Sequence, residues 1–187
     1  MSLFEAGLRD LAALARLLST QADRIERLAR RYADTLRRGG TIFFAGNGGS
    51  AADAQHVATE YVVRFKQDRR AFRAVALTTD TSLLTAAGND LGFERVFARQ
   101  VEALARPGDL LVLHSTSGRS ANLLAAAVAA REIGAQTVAL LGRDGGSLAT
   151  AVDEALIVPS EETSRIQELH LAIEHLIVEW VEQELIG

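Results

Sequence analysis

TIFFAGNGGSAADAQHVATE, residues 41–60, holds an apolar run that breaks into glycines, followed by small and polar residues leading to His56 and Glu60. Thr41 to Ala45 reads as a buried strand, and the residues from Gly49 on read as a helix. Between them, Gly46-Asn47-Gly48-Gly49-Ser50 is a loop whose glycines let backbone approach an anion. The free N–H groups of the following helix point the same way. The loop alone is weak evidence: with Ala51 it satisfies the relaxed dinucleotide pattern G-x-G-x-x-[GA], and a turn that merely needs positive φ has the same composition. His56 and Glu60 stand four apart and share one helix face, as a minimal metal site, an acid/base pair or an ordinary surface hydrogen bond would.

Outward from this junction the strand–helix alternation repeats. Further strands are expected at 72–77 (FRAVAL), 109–114 (DLLVLH), 136–141 (QTVALL) and 155–158 (ALIV), with helices at about 49–66, 92–105 and 118–133. Gly39-Gly40, Pro107-Gly108 and Gly134 punctuate three of the strand starts. The strands are continuously apolar, which indicates burial on both faces and a mainly parallel, doubly wound α/β sheet. Ahead of it, residues 1–38 read as two amphipathic helices, with stripes Phe4, Leu8, Leu11, Ala15, Leu18 and Ile25, Leu28, Tyr32, Leu36; Ser19 and Thr20 are candidate N-caps of the second. A long helix, about 163–185, closes the chain and carries Ile166, Leu169, Ile173, Leu176, Trp180 and Val181. This is more apolar helix than five strands need, so a homo-oligomer with a shared helical core is expected.

Composition bounds the chemistry. The chain has 187 residues, 48% hydrophobic and 24% charged, enough to bury a core. Without cysteine it has neither disulfides nor thiolate metal sites. Glu5, Arg9, Asp10 and Arg16 interrupt the apolar N-terminus, so an amphipathic helix is expected there and not a signal sequence, and no apolar run is long enough to span a membrane. A net charge of −4 gives no general pull toward nucleic acid or anionic lipid. The basic clusters Arg30-Arg31, Arg37-Arg38 and Lys66–Arg73 read as solvated surface. A cytoplasmic protein is expected.

A second loop follows the strand DLLVL: His114-Ser115-Thr116-Ser117-Gly118-Arg119-Ser120. Ser115, Thr116, Ser117 and Ser120 give four hydroxyls at the mouth of a helix. An N-cap needs one, whereas a phosphate monoester takes several. No G-x-x-x-x-G-K-[ST] exists, and Asp80 lies too far past its strand to be the ribose-binding acid of a dinucleotide site. A terminal phosphate, hence a phosphosugar, suits these loops best. On the last helix lie Arg165, Gln167, Glu168, His170, Glu174 and His175. His170 and Glu174 are again four apart, while Gln167 and His175 differ by about 80° around a helix. Spacing does not choose between the two histidines.

AGNGGSAADAQH (45–56), ALTTDTSLLTAAGND (76–90), STSGRSAN (115–122) and RIQELHLAIEH (165–175), in this order and spacing, resemble the sugar isomerase (SIS) domain family, and within it the phosphoheptose isomerases. The resemblance covers essentially the whole chain, 1–187, as one SIS domain. It implies a three-layer sandwich around a five-stranded parallel sheet, and a homotetramer with residues 1–38 in its core and active sites built between subunits. It implies aldose–ketose isomerisation of sedoheptulose 7-phosphate to D-glycero-D-manno-heptose 7-phosphate, with zinc. By position, Asn47, Gly48, Gly49, Asn89 and Asp90 contact substrate, while Ser115, Thr116, Ser117 and Ser120 hold the phosphate. His56, Glu60, Gln167 and His175 surround zinc, with Gln167 also near substrate, and Glu60 and His175 are the acid/base pair. His114 and His170 are left as structural. Ser164 departs from relatives that carry aspartate before the Arg-Ile-Gln run. Two alternatives stand on the same fold: a non-catalytic relative that binds a replication initiator, against which His175 speaks, and an isomerase of another phosphosugar, against which the zinc-type quartet speaks.

Overall fold

The computed structural model describes residues 1–186. In chain order the elements are α1 (Leu3–Ser19), α2 (Ala22–Arg37), β1 (Ile42–Gly46), α3 (Gly49–Val62), β2 (Ala74–Ala76), α4 (Thr81–Leu91), a 3₁₀ turn (Phe93–Arg95), α5 (Ala98–Leu104), β3 (Leu110–Ser115), α6 (Ala121–Ile133), β4 (Gln136–Gly142), α7 (Leu148–Ala151), β5 (Glu154–Val158) and α8 (Thr163–Ile186). All strand pairs are parallel, in the order β2-β1-β3-β4-β5.

Alternation along the strands divides two cores. Ile42, Phe44, Leu110, Val112, Val138 and Leu140 face a layer formed by α2, α3 and α8. Phe43, Ala45, Leu111, Leu113, Ala139 and Leu141 face the layer containing α5, α6 and α7. Both faces of β1 and β3 are therefore buried, which is why their sequences are apolar throughout. Asp109 pins their amino ends together, accepting from Thr41 N at 2.7 Å and Arg106 N at 2.8 Å. The strand order changes direction between β1 and β3, so their carboxyl ends form the crevice in which open α/β sheets bind ligands.

Six expectations are corrected. β2 is shorter than 72–77 because it is an edge strand paired only to β1, with Val75 40% exposed. The helix expected at 49–66 stops at Val62, and the one expected at 92–105 divides into a 3₁₀ turn and α5, with Gly92 at φ +88° ahead of the turn. α6 begins at Ala121, leaving 116–120 as open loop. Ser19 and Thr20 close α1 and do not open α2: their hydroxyls donate back to Arg16 O (2.6 Å) and Leu17 O (2.7 Å). Two helices were not foreseen, α7 and α4, the latter capped by Asp80, whose Oδ1 accepts from Leu83 N at 2.9 Å. Of the basic clusters, Arg30, Arg31 and Arg37 form ion pairs with Glu26, Glu154, Asp34 and Glu184. Arg69 departs from the solvated reading, its side chain only 3% exposed.

No described helix is long and apolar enough to cross a membrane. α1 leaves Phe4 and Leu8 exposed and anchors through Leu18, with Leu11 and Leu14 half-buried.

Candidate active site

The two loops meet across the crevice. Asn47, after β1, and Asn122, in the first turn of α6, exchange amide hydrogen bonds: Asn47 Nδ2 donates to Asn122 Oδ1 at 2.9 Å, and Asn122 Nδ2 to Asn47 Oδ1 at 2.8 Å. Gly48 holds φ +57°, ψ −121°, backbone that a side chain would strain. Gly118, at φ +64°, lies so close to the Gly145 carbonyl that no Cβ would fit. Loops after β1, β3 and β4 are thereby held edge to edge.

In the hydroxyl-rich loop, Ser115 Oγ accepts from Gly118 N at 3.0 Å and Ser117 Oγ from Arg119 N at 3.3 Å. Each keeps its O–H to donate. Ser120 occupies the cap position of α6 without a capping hydrogen bond, and the Thr116 hydroxyl likewise has no partner among the described residues. Four hydroxyls thus remain able to donate at a helix mouth. Arg119 brings a cation beside them, its Nη2 2.5 Å from Asp144 Oδ2.

A second group lies between α3 and α8. His56 Nε2 is 2.9 Å from His175 Nε2 and 3.4 Å from Glu60 Oε1, and one ligand atom from each of the three falls within 4.8 Å of the others. Two imidazole nitrogens facing each other at hydrogen-bond distance either share one proton or turn both lone pairs toward a cation. Two nitrogens and a carboxylate oxygen, with no thiolate available, are a donor set that catalytic zinc accepts. Gln167 sits one turn into α8, against the start of α3: a Cβ on Gly49 would be 2.6 Å from its Cδ.

Asp53, one turn beyond Gly49 and nearly one turn before His56, shares their helix face and was not singled out from the sequence, although its spacing was there to read. It is 7% exposed. Burial pushes its carboxyl above the ordinary value, and the nearby His114, Gln167 and His56 only partly offset this. The sequence likewise assigns Asn122 no role. Asn89 and Asp90 lie on the exposed face of α4, where Asn89 Nδ2 donates to Asp90 Oδ1 at 2.6 Å.

Beneath the loops a polar group is fully enclosed. Glu174 Oε1 accepts from Tyr32 Oη at 3.0 Å and lies 2.9 Å from His114 Nε2, joining the residue before the hydroxyl loop to the residue before His175. His170 Nε2 faces the Leu141 carbonyl at 3.0 Å. Burial drives the His170 pKa down to about 3, with the Leu141 carbonyl opposing, so the ring is neutral and Nε2–H donates. His114 and His170 are fully buried, away from the solvent-facing His56, and of the two α8 histidines only His175 reaches the α3 pair.

Comparison with known proteins agrees with this geometry. The family model for the SIS domain matches residues 9–142. Phosphoheptose isomerase of Roseiflexus sp. (strain RS-1) is 55% identical over 170 residues, 91% of this chain and 86% of the relative. That of Geobacter sulfurreducens is 55% identical over 180 residues, 96% and 94% of the two chains. Among solved structures, phosphoheptose isomerase from Neisseria gonorrhoeae superposes with a TM-score of 0.86 at 42% identity, covering 97% of this chain and all of that one. The Francisella tularensis structure does so at 0.89 with 32% identity, covering 98% and 100%. The chain therefore belongs to the SIS domain family and, within it, to the phosphoheptose isomerases, a family of enzymes.

Proposed function

We propose that the protein interconverts sedoheptulose 7-phosphate and D-glycero-D-manno-heptose 7-phosphate. The observation that carries this reading is helix α3, which starts at the glycine loop that Asn47–Asn122 ties to the start of α6 and which carries His56 and Glu60 to His175. Phosphate is held by Ser115, Thr116, Ser117 and Ser120 at the mouth of α6, and sugar hydroxyls by the Asn47–Gly48–Gly49 turn. Fixing the phosphate end sets the carbonyl end over α3, so binding converts a bimolecular proton transfer into a positioned one.

Aldose–ketose exchange moves a proton between C1 and C2 and shifts the carbonyl. Glu60 removes the carbon-bound proton, leaving a cis-enediol, and returns it to the neighbouring carbon. His175 gives and takes the proton on oxygen. A zinc ion held by His56, Glu60, Gln167 and His175 would supply Lewis-acid polarisation of the sugar's carbonyl oxygen. A lone pair bound to metal is not free to act as base, for Glu60 and His175 alike, so either Glu60 works through its second carboxylate oxygen or the ligand set changes when substrate binds.

Asn89 and Asp90, exposed on α4, would serve a neighbouring subunit's substrate in a homotetramer. The exposed Phe4 and Leu8 and the apolar cleft of Leu18, Ile25, Ile173, Leu176 and Trp180 support such an assembly, with residues 1–38 in its core. A phosphomonoester cannot cross a bilayer unaided, which makes the cytoplasm the place of action.

Glu60→Gln tests the assignment. Turnover of sedoheptulose 7-phosphate, followed by NMR, is expected to fall by at least about 10³-fold, with sugar-phosphate binding by calorimetry retained. A folded variant that loses binding, or one that keeps turnover, contradicts it.

A further inference from the structure

Residues 63–73 join α3 to β2 and belong to neither loop, yet one buried ion pair organises them. Glu182, on α8 about two turns past His175, accepts from three successive backbone amides: Phe65 at 2.8 Å, Lys66 at 2.9 Å and Gln67 at 3.1 Å. Arg69 Nε donates to it at 2.9 Å, and the two side chains are 3% and 1% exposed. The guanidinium reaches further. Nη2 donates to Glu60 O at 2.7 Å and Nη1 to Tyr61 O at 2.8 Å, carbonyls that α3 leaves open at its end. The guanidinium carbon lies 3.9 Å from the centre of the Phe72 ring.

A buried ion pair gives little net stability over an apolar pair of the same volume. What this one fixes is position. The Phe65 ring, held through its own backbone amide, stacks on His175 with centroids 5.4 Å apart and planes 19° apart. Metal-bound histidines are ordinarily oriented by a hydrogen bond from their second ring nitrogen. His175 Nδ1 makes none among the described residues, where the ring's polar contact is that of Nε2 with His56. The face of Phe65 limits rotation of the ring about its last torsion, while Arg69 ties down the Glu60 backbone.

We propose that Phe65 is a positioning residue that orients the His175 imidazole toward His56 and Glu60, kept in place by the Glu182–Arg69 clasp. The proposal rests on the zinc-assisted isomerase reading for its consequence, and its test separates the two. Full-length wild type, Phe65→Leu and Phe65→Tyr are titrated with zinc against a chromogenic chelator, and kcat and KM for sedoheptulose 7-phosphate are measured alongside thermal unfolding. Leucine keeps apolar bulk without a ring face; tyrosine keeps the face. Phe65→Leu is expected to bind zinc about tenfold or more weakly and to lose kcat by a similar factor. KM stays within about twofold because the hydroxyl loop is untouched. Phe65→Tyr behaves as wild type, and all three unfold at similar temperatures.

Leucine and tyrosine variants that match each other in zinc affinity and kcat overturn the proposal. A wild type that turns over substrate without taking up zinc overturns only the metal reading, and the kcat contrast between leucine and tyrosine then decides the positioning role. Glu182→Gln, which loosens the loop without altering either ring, is expected to shift zinc affinity in the same direction. Unchanged affinity in that folded variant removes Glu182 from the proposal.

Discussion

Gly49 shows how closely a single residue constrains the site. It opens α3 with ordinary backbone, so its lack of a side chain is not needed for a turn. What it makes room for is Gln167, whose amide occupies the space a Cβ would fill. That amide is the far end of a flexible side chain, so Gly49→Ala displaces Gln167 and leaves the backbone in place. The substitution also favours helix by up to about 1 kcal/mol. It is therefore expected to leave the melting temperature equal or higher while weakening zinc binding about tenfold. Unchanged zinc affinity would remove Gln167 from the ligand set. Gly118 is the opposite case, facing the rigid Gly145 backbone at positive φ, and the two glycines cannot be told apart in the sequence. The same holds for Phe65 and Arg69, whose partners lie more than a hundred residues away on α8. Asp53 is different: its place on the Gly49–His56 face follows from helical spacing.

Elements whose burial repeats with a regular period were legible; those set by local caps or by an edge were not. β1, β3 and β4 read correctly because both faces are buried, and α8 because its stripe runs nearly its full length. α4 escaped notice because only Ala87 of its residues is buried, so it lacks a stripe, and Asp80 had been weighed for a different role. Phe72 and Arg73 read as strand, but Arg69 lies over one and the Thr41 hydroxyl accepts from the other. Between elements, the bond from His170 on α8 to the end of β4 carries a pH dependence. A histidine held neutral in the fold, with its pKa near 3 against 6.5 when unfolded, stabilises fully above pH 6.5. As pH falls below 6.5 the unfolded chain gains a proton that the folded one refuses, and stability declines by up to about 1.4 kcal/mol per unit. Denaturant unfolding at pH 7 and pH 5 is expected to show a loss of about 2 kcal/mol from this residue. His170→Gln, which can still donate to the Leu141 carbonyl, should lack that component; an identical acid loss in the variant would assign it elsewhere.

At the scale of the whole molecule, the sheet and its two cores hold the two loops together, while α1, α2 and α8 leave an apolar surface that one chain does not cover. Leu176, 57% exposed on α8, lies on that surface. Leu176→Glu is expected to shift the proposed tetramer to smaller species by light scattering, with circular dichroism unchanged. A tetramer that persists would place the subunit interface on another face. The SIS fold and the hydroxyl loop were legible because they are local to strand ends. The proposed role of Asn89 and Asp90 was not, since it rests on a second chain. The central claim is that the loops hold a sugar phosphate over a zinc-binding proton-transfer group. Its most direct test is NMR observation of sedoheptulose 7-phosphate incubated with the purified protein, after EDTA treatment and again after zinc is restored. The account predicts aldoheptose phosphate only in the zinc-restored sample; equal turnover in both, or none in either from a folded oligomer, would contradict it.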